Sequence, residues 1–214
     1  MSPKRIVAFC SLVTDLLQRL LDTGATTNLI VCGTRSEFLV QLSAAIHYQR
    51  SDPVAELRHD LLTKTIGLLA NSSRIRLTFC PSLENLRAYL AVLRPADGVI
   101  WETKRDHGPR PLLVVLDVVA LHVPTTEFSA QGLSRTLANA VETASQMGMD
   151  LLLCECTNAV NPSSVEWGGN LWDSQIPLLN GSVRFRGEEG NWGGRVISVK
   201  QVAQRWFDFE EGRD

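Results

Sequence analysis

Leu112-Leu113-Val114-Val115-Leu116-Asp117 is the stretch that decides the fold. Five apolar residues in a row, with no polar residue at alternate positions, describe a strand buried on both faces, as at the centre of a parallel sheet. An acid closes it. Downstream, Leu133, Leu137, Val141 and Ala144 share one face of an amphipathic helix, a second buried strand runs from Leu151 to Cys154, and a Gly/Trp-rich loop extends through Trp172. Upstream, Ile75 to Cys80 reads as a strand, and Pro81-Ser82 caps a helix carrying Leu83, Leu86, Leu90 and Leu93, closed by Pro95.

Further out, Leu29-Ile30-Val31-Cys32 forms another buried strand that stops at Gly33, followed by a helix with Phe38, Leu39, Leu42 and Ile46 on one face. A helix from about Val54 to Ala70 carries Leu57, Leu61, Thr65, Leu68 and Leu69. Nearest the amino terminus, Leu12, Leu16, Leu17, Leu20 and Leu21 recur at helical spacing until Gly24 ends the run. Beyond Trp172 the pattern changes: Ser182 to Arg186 alternates apolar residues with arginine, and Arg195 to Lys200 and Ala203 to Phe209 read as short strands. Strands alternating with helices, then a cluster of short strands, predict an α/β fold. Its mixed, mainly parallel sheet is flanked by helices and has antiparallel strands at the C-terminus. No linker, repeat or low-complexity segment divides residues 1–214, so one domain is expected.

The composition, 44% hydrophobic and 21% charged over 214 residues, is that of a globular chain with a sizeable core. A net charge of −2 lacks the basic excess of a strong nucleic-acid binder, so contact with DNA is expected to be local. Of the 21 basic residues only Lys4, Lys64, Lys104 and Lys200 are lysines, which favours planar, bidentate contacts. Cys10, Cys32, Cys80, Cys154 and Cys156 include no CxxC pair and read as reduced core residues. No metal site is expected, because nothing nearby completes a set around Cys154 and Cys156. Lys4 and Arg5 before an apolar run look faintly like a signal peptide, but Asp15, Gln18 and Arg19 turn the pattern into an amphipathic helix. No apolar stretch reaches the roughly eighteen residues of a membrane span, and a cytoplasmic or nuclear protein is expected.

A strand-loop-helix phosphate site uses backbone N–H groups and a helix N-terminus to cradle the phosphates, a lysine to reach the outer ones, and Ser/Thr to hold magnesium. The positional equivalent is Gly33-Thr34-Arg35-Ser36-Glu37, a degenerate phosphate loop with no second glycine and no lysine between Lys4 and Lys64. Thr34 and Glu37 have the spacing of a capping box, which takes up the donors a phosphate would use. Asp117 stands where a magnesium-ordering (Walker B-like) acid would, and it reads equally as an inherited site or a loop cap. After Cys80, where a water-activating carboxylate is expected, stand Pro81 and Ser82. No catalytic residue and no cofactor are assigned.

These features carry a resemblance: the buried strand with Asp117, then Val119-Ala120-Leu121-His122, the helix Ser129 to Gly148 and the strand Leu151 to Glu155. Trp167-Gly168-Gly169-Asn170-Leu171-Trp172 and Arg205-Trp206-Phe207 complete it. Together, over roughly Asn28 to Glu210, they resemble the eukaryotic RecA-like recombinase paralogues, and within them the small Shu-complex-type subunits without a working phosphate loop. The resemblance implies a RecA-like core and a loop, Ala159 to Gln175, that faces DNA. It also implies a second RecA-like paralogue as heterodimer partner, a nuclear location, and a non-catalytic accessory role in homologous-recombination repair with weak, sequence-independent DNA binding.

Trp167 and Trp172 would stack on unpaired bases or pack back onto the domain. Arg184 and Arg186, joined by Lys200 and Arg205, would form a basic stripe on DNA or a solvated strand face. Two rival functions keep the same fold: a RecA-like Elongator accessory subunit acting on transfer RNA, and a divergent ATPase.

Overall fold

The structure, a computed structural model, describes residues 3–50, 60–62, 65–93, 109–180 and 196–210. Six strands form one sheet: β1 (Arg5–Ala8), β2 (Thr27–Val31), β3 (Ile75–Phe79), β4 (Leu112–Leu116), β5 (Asp150–Cys154) and β8 (Asp208–Phe209), in the order β3-β2-β4-β5-β1-β8. All its pairings are parallel. A separate antiparallel pair joins β6 (Gln175–Pro177) to β7 (Val196–Ser198). The fold is therefore α/β, with a mainly parallel sheet and a small antiparallel pair.

The helices are α1 (Val13–Thr23), α2 (Arg35–Arg50), α3 (Ile66–Ser72), α4 (Leu83–Val92), α5 (Val118–His122), α6 (Ala130–Gln146) and α7 (Val199–Ala203). Going from β1 to β2 to β3, the chain moves one way across the sheet; from β3 to β4 to β5 it moves back. Right-handed crossovers then put the helices of the two legs on opposite faces. The core divides accordingly. On one face Leu16 and Leu20 of α1 and Phe38 and Ala45 of α2 cover Leu29, Val114 and Leu152; on the other Leu86 and Leu90 of α4 and Leu133 and Leu137 of α6 cover Ile30, Val115 and Leu153. Alternate residues of β4 serve different cores, which is why Leu112 to Leu116 has no polar position.

Several expectations need correction. Arg5–Ala8 is a strand between β5 and β8, so the run from Ile6 to Val13 is strand, turn and helix start. Between Val54 and Ala70 the described helix begins only at Ile66, and the earlier part lies outside the described residues except for a short 3-10 turn at Asp60–Leu62. The segment from Arg195 is strand only to Ser198. There a capping box starts α7: Ser198 Oγ accepts the Gln201 N–H, and Gln201 Oε1 accepts the Ser198 N–H, each at 3.2 Å. Ala203 to Phe209 is consequently a helix end, a turn and a two-residue strand. The alternating segment Ser182 to Arg186 lies outside the described residues.

Candidate functional site

At the carboxyl end of the sheet, β2 leaves by α2 on one face and its neighbour β4 leaves by α5 on the other. In open α/β sheets ligands bind in the crevice such a reversal leaves. Here the crevice encloses a cavity of about 30 Å³ among Val13, Gly33, Phe38, Leu116, Asp117 and Trp167. That is room for about two waters, whereas small-molecule sites run to several hundred Å³.

Asp117 sits in this crevice in the left-handed region, at φ 62° and ψ 38°, the one non-glycine residue with positive φ among those described. The turn is held by two hydrogen bonds to the end of β5: the Asp117 N–H donates to Cys154 O at 2.8 Å, and Oδ1 accepts the Cys156 N–H at 2.9 Å. Beside it lies Glu155, 2% exposed, whose oxygens accept the N–H groups of Val119 at 2.7 Å and Ala120 at 3.2 Å. Burial drives both carboxyls above the usual carboxylate range, and the Asp117 charge drives Glu155 further. Backbone donors oppose the shift, Cys156 for Asp117 and Val119 and Ala120 for Glu155. Two such acids do not both ionise near neutrality, so the pair retains a proton.

The other helix starts at this end are also occupied by acids of the chain. Glu37 Oε2 accepts the Thr34 N–H at 2.8 Å and the Thr34 hydroxyl at 2.7 Å, while Thr34 Oγ1 accepts the Glu37 N–H at 3.2 Å. These bonds hold the Glu37 carboxyl below its ordinary range. Arg35 and Ser36 are exposed on the same turn. On α1, Asp15 Oδ2 accepts the Leu12 N–H at 2.9 Å and Oδ1 accepts from Gln49 at the same distance.

The position of Gly33 also needs correction: it follows the second strand of the chain. The loop after the first, Phe9-Cys10-Ser11-Leu12, has neither glycine nor lysine. Lys4 stands before β1, at the far end of the sheet. The strand ending at Cys80 is the sheet edge, separated from β4 by β2, so an acid after it would not reach Asp117 directly. The neighbour that does bring an acid is β5, through Glu155, which is not among the sequence candidates. Its signal is an acid directly after a buried strand, the same as for Asp117.

The nucleic-acid candidates fall apart spatially. Trp172 is 2% exposed and packs edge-on against Phe209, with ring centroids 5.3 Å apart, so its ring is not offered to a base. Lys200 stands 5.4 Å over the same Phe209 ring. Trp167 is partly buried on the crevice wall, Arg205 is exposed on the turn before β8, and Arg184 and Arg186 lie outside the described residues. The thiols of Cys154 and Cys156 are 3.7 Å apart and buried, and burial helps to raise both above the ordinary thiol value. A second buried network forms where Arg87 donates to Glu127 at 2.6 Å and to Thr136 at 3.0 Å. There His122 bonds the Glu127 carbonyl through Nδ1 at 3.2 Å and Thr136 through Nε2 at 3.0 Å. Since a carbonyl only accepts, Nδ1 carries the proton.

The family described as SPAC22G7.03-like matches residues 5–209. No curated protein matches the chain. Among solved structures, it is similar to the isolated ATPase domain of a DnaB-type helicase, at 12% identity and a TM-score of 0.37, over 72% of this chain and 57% of that one. It is likewise similar to a DnaB-like replicative helicase studied with primase, at 14% identity and a TM-score of 0.36, over 71% of this chain and 39% of that one. The chain thus spans well under two thirds of the length of either.

Proposed function

The chain belongs to the SPAC22G7.03-like family, and from that premise we propose that it is a non-catalytic RecA-like subunit acting through its contacts with other macromolecules. One observation carries this reading: the helix starts of α1, α2 and α5 are each bound by a carboxylate of the chain, Asp15, Glu37 and Glu155. A triphosphate approaching any of them would displace a neutralising partner and meet negative charge, with no lysine to offset it.

The finer reading draws on the resemblance. The protein pairs with a second RecA-like paralogue in the nucleus and assists a recombinase in homologous-recombination repair, touching DNA weakly and without sequence preference. Affinity purification followed by mass spectrometry tests it. Recovery of a RecA-like paralogue and repair proteins is expected, and recovery of Elongator subunits in their place overturns it.

A further inference from the structure

We propose that the groove where β1 and β8 begin is a binding track for single-stranded nucleic acid. The proposal rests on the nucleic-acid part of the reading above and moves the contact to the end of the sheet opposite the crevice. The groove encloses about 560 Å³, and Lys4, Arg5, Trp206 and the exposed Arg205 line it. Among the described residues the ion pairs engage Arg19, Arg87 and Arg110, and none takes Lys4, Arg5 or Arg205. Of the two acids in the wall, Glu210 is neutralised by the Arg19 fork at 2.5 and 2.7 Å, leaving Asp208 alone. Three cations against one free acid make this face positive on a chain of net charge −2.

The aromatic residue decides between ligands. Trp206 packs partly against the core and also walls the groove, so a base can stack on an already ordered ring while the cations track its phosphates. A duplex keeps its base faces stacked and offers no such contact. An added peptide strand is disfavoured because β8 has only two residues, too short an edge to template pairing, and one of them is the exposed Asp208.

The test is fluorescence anisotropy of a labelled oligothymidylate with the full chain across a salt series, each variant first confirmed folded by its thermal melt. Lys4→Glu combined with Arg205→Glu should weaken binding about tenfold or more at low salt and lower the salt slope by about 0.7 for each lost phosphate contact. Trp206→Phe, which keeps a ring against the core, should weaken binding several-fold. Arg76→Glu, on β3 at the opposite edge of the sheet, should leave it unchanged. If wild type binds and the double reversal has no effect, the groove is wrong while nucleic-acid binding elsewhere stands. If wild type does not bind, both fail. Equal weakening by Arg76→Glu, or displacement of the oligonucleotide by polyglutamate at lower concentration than by unlabelled oligonucleotide, also overturns the proposal.

Discussion

Asp117 at the end of β4 accepts the N–H of Cys156 just past the end of β5 at 2.9 Å, and this bond pins an aspartate in a left-handed turn deep in the crevice. Asparagine tolerates that conformation and keeps the accepting oxygen. Burial raises the Asp117 pKa from 3.8 to about 7, and Glu155 moves in the same direction. A folded pKa above the unfolded one means the native state binds more protons, so this contribution to stability is present below about pH 4 and is lost as pH rises through about 7. Asp117→Asn should therefore raise the melting temperature at pH 8 relative to wild type and change it little at pH 4. A variant less stable than wild type at pH 8 would refute the retained proton.

His122 pulls in the opposite direction. Burial lowers its pKa from 6.5 to about 4, the Glu127 carbonyl works against that shift and Arg87 adds to it. A folded pKa below the unfolded one makes its contribution complete above about pH 6.5 and lost as pH falls towards 4. His122→Gln, which keeps a side-chain donor and acceptor, should flatten the loss of melting temperature between pH 6.5 and 4 at some cost at neutral pH. An unchanged acid slope would remove His122 from the cause.

Isothermal titration of the purified chain with Mg-ATP should give no saturable binding, because the helix starts are filled by Asp15, Glu37 and Glu155 and the cavity is about 30 Å³. Micromolar binding that disappears in Asp117→Ala would restore the divergent ATPase.

What the sequence made legible was whatever repeats along the chain. Leu112 to Leu116 is unbroken because both faces are covered, and α1 announces itself by leucine spacing and by Gly24 at φ 57°. Arg5–Ala8 was hidden because four apolar-leaning residues run straight into a helix start, and short apolar runs do not reveal their period. Ala203 to Phe209 was misread on its aromatic residues, although the Ser198 and Gln201 capping signal was there to be seen. The Asp117 and Glu155 pair was not legible, since their proximity exists only once β4 lies beside β5.

Two glycines in helices predict opposite outcomes for the same substitution. Gly132, in the first turn of α6, lies directly under the Glu127 backbone: a β-carbon there would fall on the Glu127 carbonyl oxygen and 2.9 Å from its Cβ. That carbonyl is also the acceptor for His122 Nδ1, and the Glu127 carboxylate holds Arg87, so the loop cannot retreat without breaking the buried network. Gly132→Ala should cost about 1–3 kcal/mol, as overpacking does, and lower the melting temperature by about 2–4 °C per kcal/mol for a chain of this size. Gly67 in α3 has nothing within 4 Å of its would-be β-carbon. Gly67→Ala should be neutral to stabilising by up to about 1 kcal/mol, through reduced unfolded-state entropy and better helix propensity. Thermal melts of the two single variants decide it: a tolerated Gly132→Ala would mean that Glu127 and its partners are free to move, and the rigid support of His122 would have to be abandoned.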